Sequence, residues 1–354
     1  MTFERFVAGA KARLSADLAA FLAAKRPELA RIEPWGPDVL KRLESFTRKG
    51  KMIRGGLVLL AHGMAGGRPG PAAVRAGTAF ELIQSGLLVH DDIIDRDPRR
   101  RGAPSVHEQY ARHAAAPAGR ASAPFGTSLA ICAGDIAIFL AFEALAGLPG
   151  PPDRAARVQR LFAAEFGLVG LGQMLDIEAG SGRRAFTESE VLDIYRYKTA
   201  RYSFSLPLAA GWLLGGGAGR ALPALKRLGE DLGLAFQIKD DELGLFGSAA
   251  ATGKPVGSDV RQGKKTLFWL GLARRASGAD RRRFEAVFGR AGATDADVRF
   301  VRDLAGRLGV RDEVLGVVAG LARRAAGRIG ALPVSARHKE LLLSLLDYSL
   351  ARRS

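Results

Sequence analysis

The sequence predicts an all-α fold, and three observations carry that prediction. Ala/Leu-rich stretches recur at helical spacing along the 354-residue chain. Strand signals are nearly absent, with no sustained β-branched/polar alternation and no Asn-Gly hairpin turn. Gly/Pro clusters interrupt the helical stretches near Gly66–Pro71, Ala114–Gly126, Gly147–Asp153, Gly180–Arg184, Gly215–Gly219 and Gly247–Gly263. None of these breaks is long or polar enough to act as an interdomain linker. The expectation is a single domain over residues 1–354 with about ten or more helices.

The elements follow in chain order. Glu4 and Asp17 among spaced apolar residues make the N-terminal segment an amphipathic helix rather than a signal peptide. Gly50-Lys51-Met52-Ile53-Arg54 puts Lys51 and Arg54 at i and i+3, on one face near a helix start. Ala79–His90 is mostly apolar and reads as a buried helix that ends in His90-Asp91-Asp92-Ile93-Ile94-Asp95. Ser128–Leu148 is long enough to span a bilayer. Asp135 and Glu143 within it are costly in lipid, so a buried core helix is expected instead. A second apolar stretch runs into Gln237-Ile238-Lys239-Asp240-Asp241, and Gly244 is expected to end that helix.

Composition sets the outer limits. Hydrophobic content of 47% with 25% charged residues describes an ordinary soluble protein. The single cysteine, Cys132, excludes an internal disulfide and points to a reducing, cytoplasmic home. Much of the net charge of +17 comes from arginine pairs and triples such as Arg281-Arg282-Arg283, read as solvated helix faces. The field still draws anionic ligands. No nucleic-acid motif or aromatic-basic interleaving accompanies it, so a nucleic-acid partner is not expected.

Two acidic clusters, about 150 residues apart, carry the chemistry. Asp91 and Asp95 stand at i and i+4, so both can face one way. Clustered carboxylates repel unless a cation neutralises them, and Mg²⁺ suits carboxylate and phosphate oxygens together. In the second cluster the i+4 position is Gly244, which leaves Asp240 on one face with Asp241 turned aside. Cations accompany both clusters: Lys51 and Arg54, then Arg100 and Arg101, then Lys198, Lys254 and Lys264. Guanidinium groups grip phosphate bidentately and lysine acts as a compact charge. Carboxylates for a metal beside cations for phosphate imply a substrate carrying a diphosphate.

These segments, taken with Gly172-Gln173-Met174-Leu175-Asp176, Lys198-Thr199 and Gly253-Lys254…Gly257-Ser258-Asp259…Lys264, resemble the trans-isoprenyl diphosphate synthase (polyprenyl synthetase) family. The matches keep the family's order between about residue 45 and residue 270. The resemblance, strongest to geranylgeranyl diphosphate synthases, implies mostly antiparallel helices around a deep cavity, as a homodimer. It implies a prenyl transferase that extends an allylic diphosphate with isopentenyl diphosphate. Asp91, Asp92 and Asp95 would bind two Mg²⁺ ions, and Asp240, assisted by Asp241 and Asp176, a third. Arg100, Lys198, Lys254 and Lys264 would contact the allylic diphosphate. Lys51, Arg54, Gln84 and Arg101 would hold isopentenyl diphosphate, with Thr199 and Gln237 beside the reacting centre. Asp91, Asp95, Arg100, Lys198, Asp240 and Lys254 are the expected catalytic set.

Relatives with short products commonly place an aromatic ring where this chain has Gly86 or Leu87. Glycine is expected to leave room, which favours geranylgeranyl diphosphate or a longer product. Three departures mark this chain: Gly55 replaces a usual proline, Gln84 replaces histidine, and Gly244 replaces aspartate. A class I terpene cyclase would need no second diphosphate pocket, so Lys51, Arg54 and Arg101 oppose that alternative. Gly244 is the main support for another alternative, a non-catalytic subunit of a heteromeric synthase.

Overall fold

The computed structural model describes residues 1–113, 123–247 and 257–351. Lys254 therefore lies outside the described residues. The chain divides into two compact units, Phe3–Leu161 with Pro207–Gly219, and Phe162–Leu206 with Arg220–Ser354. Neither unit is a continuous stretch of sequence.

The first unit holds α1 (Phe3–Leu29), α2 (Trp35–Arg48), α3 (Ile53–Met64), α4 (Pro71–Ile94), α5 (Val106–His113), α6 (Ala123–Ala146) and α9 (Leu206–Leu214). It also holds the first part of α7 (Pro152–Gly180). Helix α4 is central and packs against α1, α2, α3, α5 and α6. Phe80, Leu82 and Ile83 are among its fully buried side chains, so hydrophobic burial rather than an amphipathic stripe holds it in place. The expected core helix after Ser128 is α6, and the expectation holds for one face only. Ala130, Ala133, Ala137 and Ala141 are buried, while Ile131 and Phe139 stay exposed.

The second unit is built on α10 (Leu222–Phe246), with the rest of α7, α8 (Glu188–Tyr195) and a ten-residue π-helix, Arg196–Ser205. Further described helices of this unit are α11 (Ser258–Gln262), α12 (Leu267–Arg275), α13 (Gly278–Val287), α14 (Asp295–Arg307) and α15 (Val310–Ala331). The last described helix is α16 (Ala336–Leu350). Helix α10 packs on the π-helix, α15 and α16. The expected end of α10 at Gly244 is corrected: the helix continues to Phe246. Leu245 is buried in the core, and that burial offsets the roughly 1 kcal/mol that glycine costs inside a helix.

Candidate active site

The first acidic cluster forms where α4 stops. Asp95 caps the helix, its amide bonding the Asp91 carbonyl at 2.8 Å. Arg96 follows in the left-handed region at φ 54°. The Arg96 amide then bonds Ile93 O at 3.2 Å and the Asp97 amide bonds Asp92 O at 2.9 Å. This is a Schellman motif with arginine in the place glycine usually takes. It reverses the chain into a two-stranded hairpin, β1 (Arg99–Arg100) with β2 (Ala103–Pro104), turned by Arg101 and Gly102, both at positive φ. Two left-handed residues make a tight turn that the Arg101-Gly102 pair does not advertise in sequence.

The hairpin returns Arg100 to the acids. Its guanidinium bonds Asp92 at 2.6 Å, Asp91 at 3.2 Å and Asp97 at 3.4 Å. Asp92 is fully buried, and burial pushes its carboxyl up to about 6, with Arg100 opposing the shift and Asp91 and Asp97 adding to it. Asp92 Oδ2 finds no hydrogen-bond partner among the described residues. Among the described residues no three carboxylate or imidazole groups converge on one point. Arg100 stands among these acids, and Asp95 faces solvent in part. Buried Asp92, with Oδ2 unpartnered among the described residues, at the helix end it shares with Asp91 and Asp95, offers oxygens that fit a divalent cation.

A second, cationic group lies in the same unit. Lys51 and Met52 precede α3, with Met52 at φ 54°, and Arg54 sits in the first turn. Arg101 donates to Phe46 O at 2.6 Å and lies over the Phe46 ring at 5.0 Å. Gln84 is 6% exposed, and its Oε1 has no hydrogen-bond partner among the described residues. Between these groups is Glu81, 4% exposed, accepting from the Gly55 amide at 2.8 Å. Burial raises its carboxyl above the ordinary range, while Arg54, the Gly55 amide and Arg101 pull it back. Sequence reasoning missed Glu81, although an acid inside an apolar helix, three residues before Gln84, was a usable signal.

The structure gives Gly86 a different setting from the expected one. A Cβ at Gly86 would lie 2.7 Å from Gly134 O and 3.0 Å from Ile138 on α6. Glycine here permits close approach of α4 and α6 and leaves no spare room, which corrects the open-floor expectation for this position. Leu87 is half-buried.

In the second unit Asp240 is exposed and Asp241 is turned inward at 7% exposure. Asp241 accepts hydrogen bonds from Tyr195 Oη and from Gln237 Nε2, the latter at 2.9 Å. Its carboxyl is pushed well above the ordinary range by burial and by neighbouring Asp259. A Cβ at Gly244 would fall 2.9 Å from Asp259 Oδ2, so Asp259 occupies the space beside the missing third acid. Lys198 and Thr199 lie on the π-helix, a geometry frequent at functional sites. Lys198 pairs with Asp176 of α7, and the Lys264 amide bonds Asp259 O at 2.9 Å. Tyr195 and the Glu165–Arg201 pair behind the π-helix gave no sequence signal.

Comparison with known proteins identifies the family and the fold. A family model described as polyprenyl synthetase matches residues 38–304. The short chain isoprenyl diphosphate synthase of Methanothermobacter thermautotrophicus is 36% identical over 72% of this chain and 73% of its own. The nonaprenyl diphosphate synthase of Mycobacterium tuberculosis is 32% identical over 94% of this chain and 95% of its own. The crystal structure of a geranylgeranyl pyrophosphate synthase from Corynebacterium glutamicum, complexed with isoprenyl diphosphate and magnesium, superposes with a TM-score of 0.91. It is 30% identical and covers 100% of both chains. The chain belongs to the polyprenyl synthetase family, with the all-α isoprenoid synthase fold. It is a prenyl transferase of the polyprenyl diphosphate synthase type.

Proposed function

We propose that the chain condenses isopentenyl diphosphate with an allylic diphosphate, dependent on magnesium, and that geranylgeranyl diphosphate is its main product. One observation carries the reading. The acids with Arg100 and the group formed by Lys51, Arg54 and Arg101 are separate features of one unit, suited to two different diphosphates.

Asp91, Asp92 and Asp95 would hold magnesium in the first unit, and Asp240, supported by Asp241, in the second. When bound, the ions neutralise the diphosphate that leaves. Arg100, Lys198, Lys254 and Lys264 are the cations that the family resemblance assigns to its oxygens, and positive charge there would stabilise the charge that builds as the allylic C–O bond breaks. The electron pair departs with pyrophosphate and leaves an allylic cation. Lys51, Arg54, Gln84 and Arg101 hold isopentenyl diphosphate so that its double bond attacks the cation and forms the new C–C bond. A proton then leaves to the released pyrophosphate, giving an allylic diphosphate one isoprene unit longer. Thr199 and Gln237 line the reacting centre, and exclusion of water protects the cation. Leu87 is proposed as the chain-length position in place of Gly86.

We also propose one domain acting as a homodimer. Helix α6 leaves Ile131 and Phe139 uncovered, and α7 exposes Leu171, Met174 and Ile177. A second copy is the natural cover for such faces.

Incubation of the purified protein with Mg²⁺, isopentenyl diphosphate and each allylic starter, read by mass spectrometry, tests the reaction. Elongated products are expected. Absence of elongation, with Asp91→Ala behaving as the parent does, would overturn the self-sufficient synthase reading. Cyclised hydrocarbon formed without isopentenyl diphosphate would replace it with a cyclase.

A further inference from the structure

We propose that Glu81 is a positioning residue, which holds Arg54 and Arg101 in the arrangement that grips the non-allylic diphosphate. The proposal deepens the assignment of that pocket to isopentenyl diphosphate and rests on it.

A buried acid persists only where partners offset its lost hydration. Glu81 has a backbone partner and two charged neighbours on other elements: the Gly55 amide at 2.8 Å, and the guanidinium charges of Arg54 and Arg101. Gly55 lies in the first turn of α3, where amides have no intrahelical acceptor. Met52, at the N-cap, provides no side-chain cap. Glu81 therefore caps α3 from another helix, and in doing so fixes the backbone that carries Arg54.

The same carboxylate lies between like charges. Arg54 and Arg101 repel each other, and burial further disfavours the charged Arg101, while Glu81 opposes both effects. Arg101 reaches the pocket from the hairpin turn at φ 52°, passing Gly50 so closely that a Cβ there would lie 2.9 Å from Nη2. One acid on α4 thus bonds the start of α3, and its charge attracts Arg101 on the hairpin turn.

Glu81→Gln separates positioning from simple charge. Glutamine keeps the size and an acceptor for the Gly55 amide but removes the negative charge. If Glu81 were a bystander, its neutralisation would tighten binding of an anion nearby. A positioning role requires the opposite sign. Isopentenyl diphosphate, titrated calorimetrically without divalent cation, is expected to bind about tenfold more weakly to Glu81→Gln than to the parent. In steady state KM for isopentenyl diphosphate should rise by a similar factor, with kcat and KM for the allylic substrate close to parental values.

Unchanged or tighter binding would overturn the proposal, and so would equal rises in both KM values, which would mark general loosening. Should Glu81→Gln fail to fold, Glu81→Asp, which retains the charge but withdraws it from Gly55, decides by the same two readouts. Should the parent itself not elongate an allylic starter, the synthase reading fails separately. The calorimetric titration with isopentenyl diphosphate, and with inorganic pyrophosphate beside it, still decides the role of Glu81.

Discussion

Asp92 and Asp91 show how one side chain links sequence to chemistry. Both belong to a cluster visible in the sequence, yet the partner that neutralises them, Arg100, reaches them only through the Schellman turn at Arg96. Removing Asp91 takes away a proposed metal ligand while Asp92 and Asp97 retain Arg100. Asp91→Ala is expected to lose about a hundredfold or more in kcat. Added Mg²⁺ should raise the melting temperature of the parent and raise that of Asp91→Ala less, a linkage that differential scanning fluorimetry reads directly.

The neighbouring positions give opposite outcomes for one substitution. Gly86→Phe drives a ring into the α4–α6 contact and is expected to destabilise the protein by about 1–3 kcal/mol or more. Leu87→Phe, at a half-buried site, should leave stability nearly unchanged and shorten the product by at least one isoprene unit. An unchanged product distribution from Leu87→Phe would remove that residue from chain-length control.

At the scale of elements, the π-helix is the feature that needs explaining. Its wide turns present Lys198 and Thr199, and such a segment persists where its surroundings over-determine it. Arg201 supplies one anchor through two parallel bonds to buried Glu165 of α7, at 2.8 and 2.7 Å. Glu165→Gln removes the nearer charge partner of Arg201 and leaves Glu230 at 3.7 Å. It is expected to cost about 1–3 kcal/mol and to lower kcat through displaced Lys198. Urea denaturation beside steady-state kinetics checks both effects, and full kcat in a destabilised variant would separate the anchor from the reaction.

Helix α10 shows where local rules gave way. Glycine at position 244 argued for a helix end on propensity alone, whereas burial of Leu245 carries the helix two residues further. The consequence reaches the site, because the open space at Gly244 is taken by the Asp259 carboxylate. Asp259 was visible in its motif without a role, since nothing in a linear spacing shows that α11 folds back beside α10.

For the whole molecule, two sequence-interleaved units serve one proposed homodimer. The apolar length of α6 was read as a core helix, yet Phe139 is 71% exposed. Phe139 and Ile131 together are the apolar surface proposed for the dimer contact. Phe139→Glu is expected to shift the protein toward monomer in sedimentation velocity while its helix content by circular dichroism stays parental. A dimer as stable as the parent's would move the interface elsewhere.

The all-α class and the positions of most breaks are legible in the residues alone, and so is the clustering of acids and cations. These follow from periodicity, from Gly/Pro chemistry and from charges too costly to cluster without a purpose. The surroundings of Glu81, Asp259 and Gly86 come from tertiary packing. Each depends on which backbone approaches from another helix: the Gly55 amide for Glu81, the open face at Gly244 for Asp259, and the Gly134 carbonyl for Gly86. Such approaches are set by packing between distant segments, and local residue patterns carry no record of them.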